Sequence, residues 1–217
     1  MLFLLGACED RIRFEQPQPA GNADLQKFPG RLRGTYFSES DSTYLLVDQH
    51  QIVEWFNAEA NVHRDSLALE IDSAKIGKVD HDAVQVSESN YTLTFKPLSK
   101  DSVIVSYSYR DTVFRLSEEH ILRKLKGHYL LNYRLRDGNW RVRRLTSEKG
   151  ELLFSKVTMP KDIEELQNIT EVQEIQPDIS GAAIYRIKPS KRELKQLMKH
   201  QFREGRRYRK IKLSKSM

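Results

Sequence analysis

The chain has 217 residues, a net charge of +6 and a single cysteine, with 39% hydrophobic and 30% charged residues. That length fits one domain or one domain with an appendage, and that composition excludes a disordered chain. One cysteine excludes an internal disulfide, and no later run approaches the roughly eighteen apolar residues of a transmembrane helix.

At the N-terminus Met1-Leu2-Phe3-Leu4-Leu5-Gly6-Ala7 leads to Cys8. An apolar run ending in Leu5, two small residues and a cysteine resembles the lipobox of bacterial lipoproteins, where small side chains admit the signal peptidase. No Lys or Arg precedes Cys8, and either a start of translation upstream or a truncated chain is therefore expected. The resemblance is to lipoproteins of Gram-negative, Bacteroidota-like bacteria. It implies that residues 1–7 are a signal remnant, that Cys8 carries the lipid, and that the protein belongs to the cell envelope. There it would be an outer-membrane lipoprotein facing the periplasm or the surface. Glu9 and Asp10 are similar to the acidic export signals of surface lipoproteins. Residues 8–27 contain Pro17, Pro19, Gly21 and Asn22 with no period of 2 or 3.6, and read as a flexible tether.

Residues 28–158 read as an antiparallel β domain, a meander closing into a barrel or a sandwich. Gly34 to Phe37, Tyr44 to Val47 and Gln51 to Trp55 are its first strands. Gly34-Thr35-Tyr36 is similar to the Gly-x-Trp start of lipocalin-like barrels, which makes a lipocalin-like barrel one form of the expected fold. Between Asn57 and Asp82 neither period dominates. Tyr91, Leu93 and Phe95 alternate with Thr92, Thr94 and Lys96, and Val103, Val105, Tyr107 and Tyr109 alternate with Ile104, Ser106 and Ser108, the signature of half-buried strands. Arg110-Asp111 is expected to turn the chain, setting Tyr107 opposite Phe114. Lys126-Gly127 and Lys149-Gly150 are further turns. Asp137-Gly138 suits a two-residue type I′ hairpin, which sets Leu135 opposite Trp140 and Tyr133 opposite Val142. About seven short strands are expected between Tyr91 and Val157.

Residues 159–217 read as an α/β extension with a basic helix and tail. Pro160 to Asn168 is a candidate helix. Ser190-x-x-Glu193 is a capping box, and Leu194, Leu197, Met198 and Phe202 share one helical face behind it. From Lys188 to Met217 there are twelve Lys and Arg against two Glu, +10, which leaves −4 for the remainder.

The Asp-Gly register sends Arg134, Arg136, Arg141 and Arg143 to one face, with Arg134 opposite Arg141. Like charges across a ladder destabilise it unless something neutralises them. Guanidinium forks suit phosphate and carboxylate, so the four form a candidate anion site; interleaved Asp and Glu, or solvent, are the alternative. The basic tail, including Arg203, Arg206, Arg207, Arg209 and Lys210, reads either as a footprint for an anionic membrane or polymer or as a solvated helix face and frayed end.

Chemistry motifs are sparse. In a strand, His81 would point away from Asp80 and Asp82, and the same objection meets Glu118-Glu119-His120. His50, His63, His128 and His200 lack i, i+4 ligand spacing. There is no nucleophile elbow, zinc-protease signature, phosphate loop or dinucleotide fingerprint. We therefore assign no catalytic residue, no metal and no cofactor. The reading is a lipid-anchored envelope protein, non-catalytic, that binds an anionic or amphipathic ligand or a partner protein, with no nucleic-acid partner. Two others stay open: an envelope or polysaccharide hydrolase with a dispersed carboxylate site, and a cytoplasmic anion or nucleic-acid binder should the lipobox be false.

Overall fold

A computed structural model of the chain describes residues 11–67, 84–87, 89–157, 163–175, 183–202 and 205–212. Cys8, Asp80-His81-Asp82 and Arg203 lie outside them. The fold is mainly β. Its strands are β1 (Ile12–Phe14), β2 (Gly34–Ser38), β3 (Thr43–Val47), β4 (Gln51–His63), β5 (Val84–Ser87), β6 (Tyr91–Pro97), β7 (Ser102–Arg115), β8 (His120–Leu125), β9 (His128–Arg134), β10 (Trp140–Glu148), β11 (Glu151–Lys156), β12 (Val172–Ile175), β13 (Ile184–Ile187) and β14 (Gly205–Ile211). The helices are α1 (Arg64–Leu67), α2 (Ile163–Gln167) and α3 (Lys191–His200).

One sheet runs β12-β13-β1-β10-β11-β14-β2-β3-β4-β7-β6-β5, with β9 on the other edge of β10 and β8 beyond it. The run from β8 to β7 curls around an inner core of Tyr36, Leu45, Ile52, Phe114, Leu122, Tyr133, Leu145, Leu152 and Tyr208. Phe114 of β7 meets Tyr133 of β9 edge-on, ring centroids 5.1 Å apart. No ladder joins β7 to β8 among the described residues. A second cluster on the outer side of β9 and β10 packs Phe14, Leu130, Trp140, Val142 and Ile187 against Leu194 and Leu197 of α3. β9 is thus buried on both faces. Beyond Trp55, β4 and β7 leave β3 behind and form an arm with β6 and β5.

The C-terminal helix forms as its sequence dictates. The Ser190 side chain accepts from the Glu193 backbone N–H, Glu193 accepts from that of Ser190, and Leu194, Leu197 and Met198 are buried. Arg144 closes its far end, donating to the carbonyls of Met198 and Phe202 at 2.6 Å each, where helix carbonyls lack partners of their own.

Five expectations are corrected. First, residues 11–27 are no free tether. β1 pairs with β13 in parallel, and the buried Asn132 side chain binds both backbone groups of Gln18, accepting from its N–H at 2.6 Å and donating to its carbonyl at 2.9 Å. Arg123 also donates to the carbonyl of Pro17 and pairs with Asp24. Second, β7 runs unbroken through Arg110-Asp111, because β4 is long enough to pair with all of it across one register shift at Ile52/Val53. Six strands, not seven, therefore span Tyr91 to Val157.

Third, the β9–β10 register is one residue off the Asp-Gly expectation, with Arg134 opposite Trp140 and Tyr133 opposite Arg141. Asp137 accepts from the Asn139 backbone N–H and side chain, making a five-residue loop closed by Leu135 N–H to the Asn139 carbonyl. Burial alone would raise the Asp137 pKa, but the hydrogen bonds from Asn139 and Arg13 outweigh it and hold the carboxyl below its usual range. Fourth, the basic tail is neither helix face nor frayed end over residues 205–211: it is β14, inserted between β11 and β2. Fifth, that insertion and the parallel β1–β13 pair mean the sheet is not a simple antiparallel meander.

Candidate anion-binding cleft

A one-residue slip exchanges the faces of every side chain on a strand. The four arginines are divided by it. Arg141 and Arg143 join Tyr133 and Leu145 on the inner face, whereas Arg134 lies on the other, its guanidinium 5.8 Å from the Trp140 ring centre. Arg136 is exposed in the 135–139 loop.

Inside, the arginines cover aromatic rings. Arg141 lies 4.6 Å over Tyr133 and Arg143 lies 5.7 Å over Phe154, an arrangement in which the ring face attracts the cation. Lys156 of β11 pairs across the ladder with Arg143. β14 alternates, turning Arg206, Tyr208 and Lys210 inward and Arg207 and Arg209 outward. Glu54 enters from β4. Together Glu54, Arg143, Phe154, Ser155, Lys156, Gly205, Arg206 and Tyr208 line a cleft of about 460 Å³. Gly205 is required there: a Cβ would stand 2.6 Å from the Phe154 carbonyl oxygen and 2.8 Å from the Ser155 Cα.

Among the described lining residues there are three cations and one carboxylate. Arg206 is bound to Glu54 at 2.6 Å and to Asp41 at 3.0 Å. Burial works against its charge, but Tyr208, Glu54 and Asp41 more than compensate and raise its pKa. Tyr208 is fully buried, and its hydroxyl makes no well-aligned hydrogen bond. Burial, reinforced by Glu54 and Asp41 and partly offset by the neighbouring Arg206, pushes that hydroxyl up to about 12. At neutral pH it is an O–H donor. A buried donor without an acceptor costs about 1–3 kcal/mol, which an anionic oxygen in the cleft would relieve.

The other candidates have structural duties. His120 stacks on Phe114 at 5.7 Å and meets Tyr133 at 5.3 Å, while Glu118 and Glu119 are exposed beside it. His128 lies 2.9 Å from the Thr146 hydroxyl, and burial, then Arg144, lowers its pKa. Among the described residues no three His, Cys, Asp or Glu converge as a metal site, and no helix is long and apolar enough to cross a membrane.

Arg141 and Arg143 were visible in the sequence as part of a cluster. Lys156, Arg206, Glu54 and Tyr208 were not assigned to the site. The segment Gly205–Ile211 carries cations on both sides of its single tyrosine, and so shows no strand period that would have flagged it. No protein-family model, curated protein or solved structure matches the chain.

Proposed function

We propose that the protein is an outer-membrane lipoprotein anchored through Cys8, and that it binds an anionic ligand in the Arg143–Lys156–Tyr208 cleft without transforming it. The observation that supports binding is the buried, neutral Tyr208 hydroxyl, lacking an aligned acceptor in a cleft that Arg143, Lys156 and Arg206 also line. Guanidinium, ammonium and hydroxyl donors differ in geometry, and a tetrahedral oxyanion can accept from all three. The hydrolase alternative has less support. Glu54 is the one carboxylate among the described lining residues, and both it and Asp41 are engaged by Arg206.

Two experiments test the two halves. Titration calorimetry of the folded chain with inorganic phosphate should show binding that Tyr208→Phe weakens about tenfold; the absence of heat with phosphate and with simple dicarboxylates sinks the anion site. Labelled palmitate supplied to a Gram-negative host should mark the wild type and not Cys8→Ala. An unlabelled wild type overturns the lipid anchor and returns cytoplasmic anionic partners to consideration.

A further inference from the structure

The two edges of β10 are shared unequally. β9 occupies one edge from Trp140 to Leu145. On the other, β1 meets β10 at Phe14 opposite Trp140, and β11 takes over at Lys156 opposite Arg143. Two residues of β10, Arg141 and Val142, separate these footprints. β1 is antiparallel to β10, so its N-terminal end points along that edge at the C-terminal end of β11. Ile12 is therefore directed along that edge towards the Lys156 end of β11. The chain that leads back to Cys8 thus leaves the sheet beside the cleft wall.

The reach of that chain is short. Four peptide units separate Ile12 from Cys8, and fully extended they span at most about 14 Å. A diacylglycerol on Cys8 places that residue at the boundary of hydrocarbon and headgroups. The start of β1 is then held within about 14 Å of the headgroup layer, on the edge of β10 that it shares with the Arg143–Lys156 wall.

We infer that the anion taken by the cleft is the phosphate of a lipid headgroup in the membrane that holds the anchor. This rests on the lipid-anchored reading above and adds the ligand to it. The phosphodiester of such a headgroup offers two non-bridging oxygens, one to accept from the Tyr208 hydroxyl and the other to face the Arg143 fork and the Lys156 ammonium. The cleft volume of about 460 Å³ is in the range of small-ligand sites, enough for a headgroup rather than a whole lipid. Free phosphate shares that chemistry, and the test separates the two.

The Cys8→Ala full-length chain, which cannot be lipidated, is sedimented with vesicles of phosphatidylethanolamine and phosphatidylglycerol at 4:1, and separately titrated with inorganic phosphate. Vesicle binding is expected, with millimolar phosphate competing. The double variant Arg143→Gln/Lys156→Gln should lose at least tenfold in vesicle affinity, and Tyr208→Phe should lose several-fold with its circular dichroism unchanged. Arg207→Gln/Arg209→Gln removes the same charge from the outer face of β14 and should change binding less than twofold. Equal losses in the two double variants would reduce the effect to general surface charge and overturn the inference. Phosphate binding without vesicle binding would overturn the lipid source and leave the anion site standing. Failure of both removes the site itself. The palmitate experiment bears on the anchor alone, so loss of that reading is told apart from each of these.

Discussion

β4 and β7 each pass through two environments, and the contrast shows where this molecule keeps its stability. In the body, Ile52 and Phe114 lie opposite each other, both almost wholly buried in the inner core. A few residues on, in the arm, the same two strands set Ala58 opposite Tyr107 and Asn57 opposite Ser108, and Asn57, Ala58 and Ser108 are exposed. Among the described residues, the arm's cluster holds two buried side chains, Phe95 and Val103. One face of the arm is apolar and the other is mostly polar, with Asn57, Glu59, Thr94, Ser106 and Ser108 on it, whereas β9 is enclosed on both. A continuous hydrogen-bonded ladder thus says little about stability; what packs on its faces decides it.

The sharpest break of that contrast is Leu131→Ala in β9, where a side chain with no exposure is removed from a core that cannot collapse around it. It should cost about 3–5 kcal/mol in urea unfolding. Next comes Asn132→Leu, which leaves the N–H and carbonyl of Gln18 without partners. A loss of about 2–4 kcal/mol is expected, with limited proteolysis cutting first between residues 15 and 25. Gly205→Ala forces β14 off the Phe154 carbonyl and should cost about 1–3 kcal/mol by overpacking, lowering the melting temperature and phosphate affinity together. Leu93→Ala in the arm, half-buried, should cost about 1 kcal/mol. An arm variant as damaging as Leu131→Ala would break the comparison.

The smallest effects are titrations. His128 has a folded pKa below its ordinary 6.5, through burial and Arg144. The unfolded chain therefore takes the proton first, and stability falls as pH drops below about 6.5; His128→Gln should flatten that slope in acid-side melts. Tyr208 acts at the other end. Its folded pKa of about 12 exceeds the unfolded value near 10, so its share of stability is complete below pH 10 and is lost as pH rises towards 12. Absorbance at the phenolate band should show one tyrosine of the native protein titrating in that late window, absent in Tyr208→Phe.

Local signals were legible where one short segment carries the whole device. The Ser190–Glu193 box and the Leu194, Leu197 and Met198 face are of this kind. So are the Lys126-Gly127 and Lys149-Gly150 turns, in which all four residues have positive φ, the conformation a type I′ hairpin demands. What the sequence hid is partner choice. Ile12 and Phe14 have too short a strand to show a period, and they are held by β13, some 170 residues away. Arg110-Asp111 looks like a turn until the length of β4 is known. In β14 four charged side chains surround Tyr208, and the charge masks a strand that the sheet needs. The cleft was legible only in part for the same reason: Arg143 stood in the arginine cluster, while Lys156, Arg206 and Glu54 reach it only through the fold.

The parallel pairing of β1 with β13 has a mechanical side. Ile12, Arg13 and Phe14 are matched to Tyr185, Arg186 and Ile187, and the slanted bonds of a parallel pair are evenly spaced. Tension arriving from Cys8 along the axis of β1 loads these bonds together, in shear, rather than peeling them one at a time. A lipid-held chain tugged by its surroundings would resist at the first strand, and the Asn132 clamp on Gln18 stands behind that strand as a second stop.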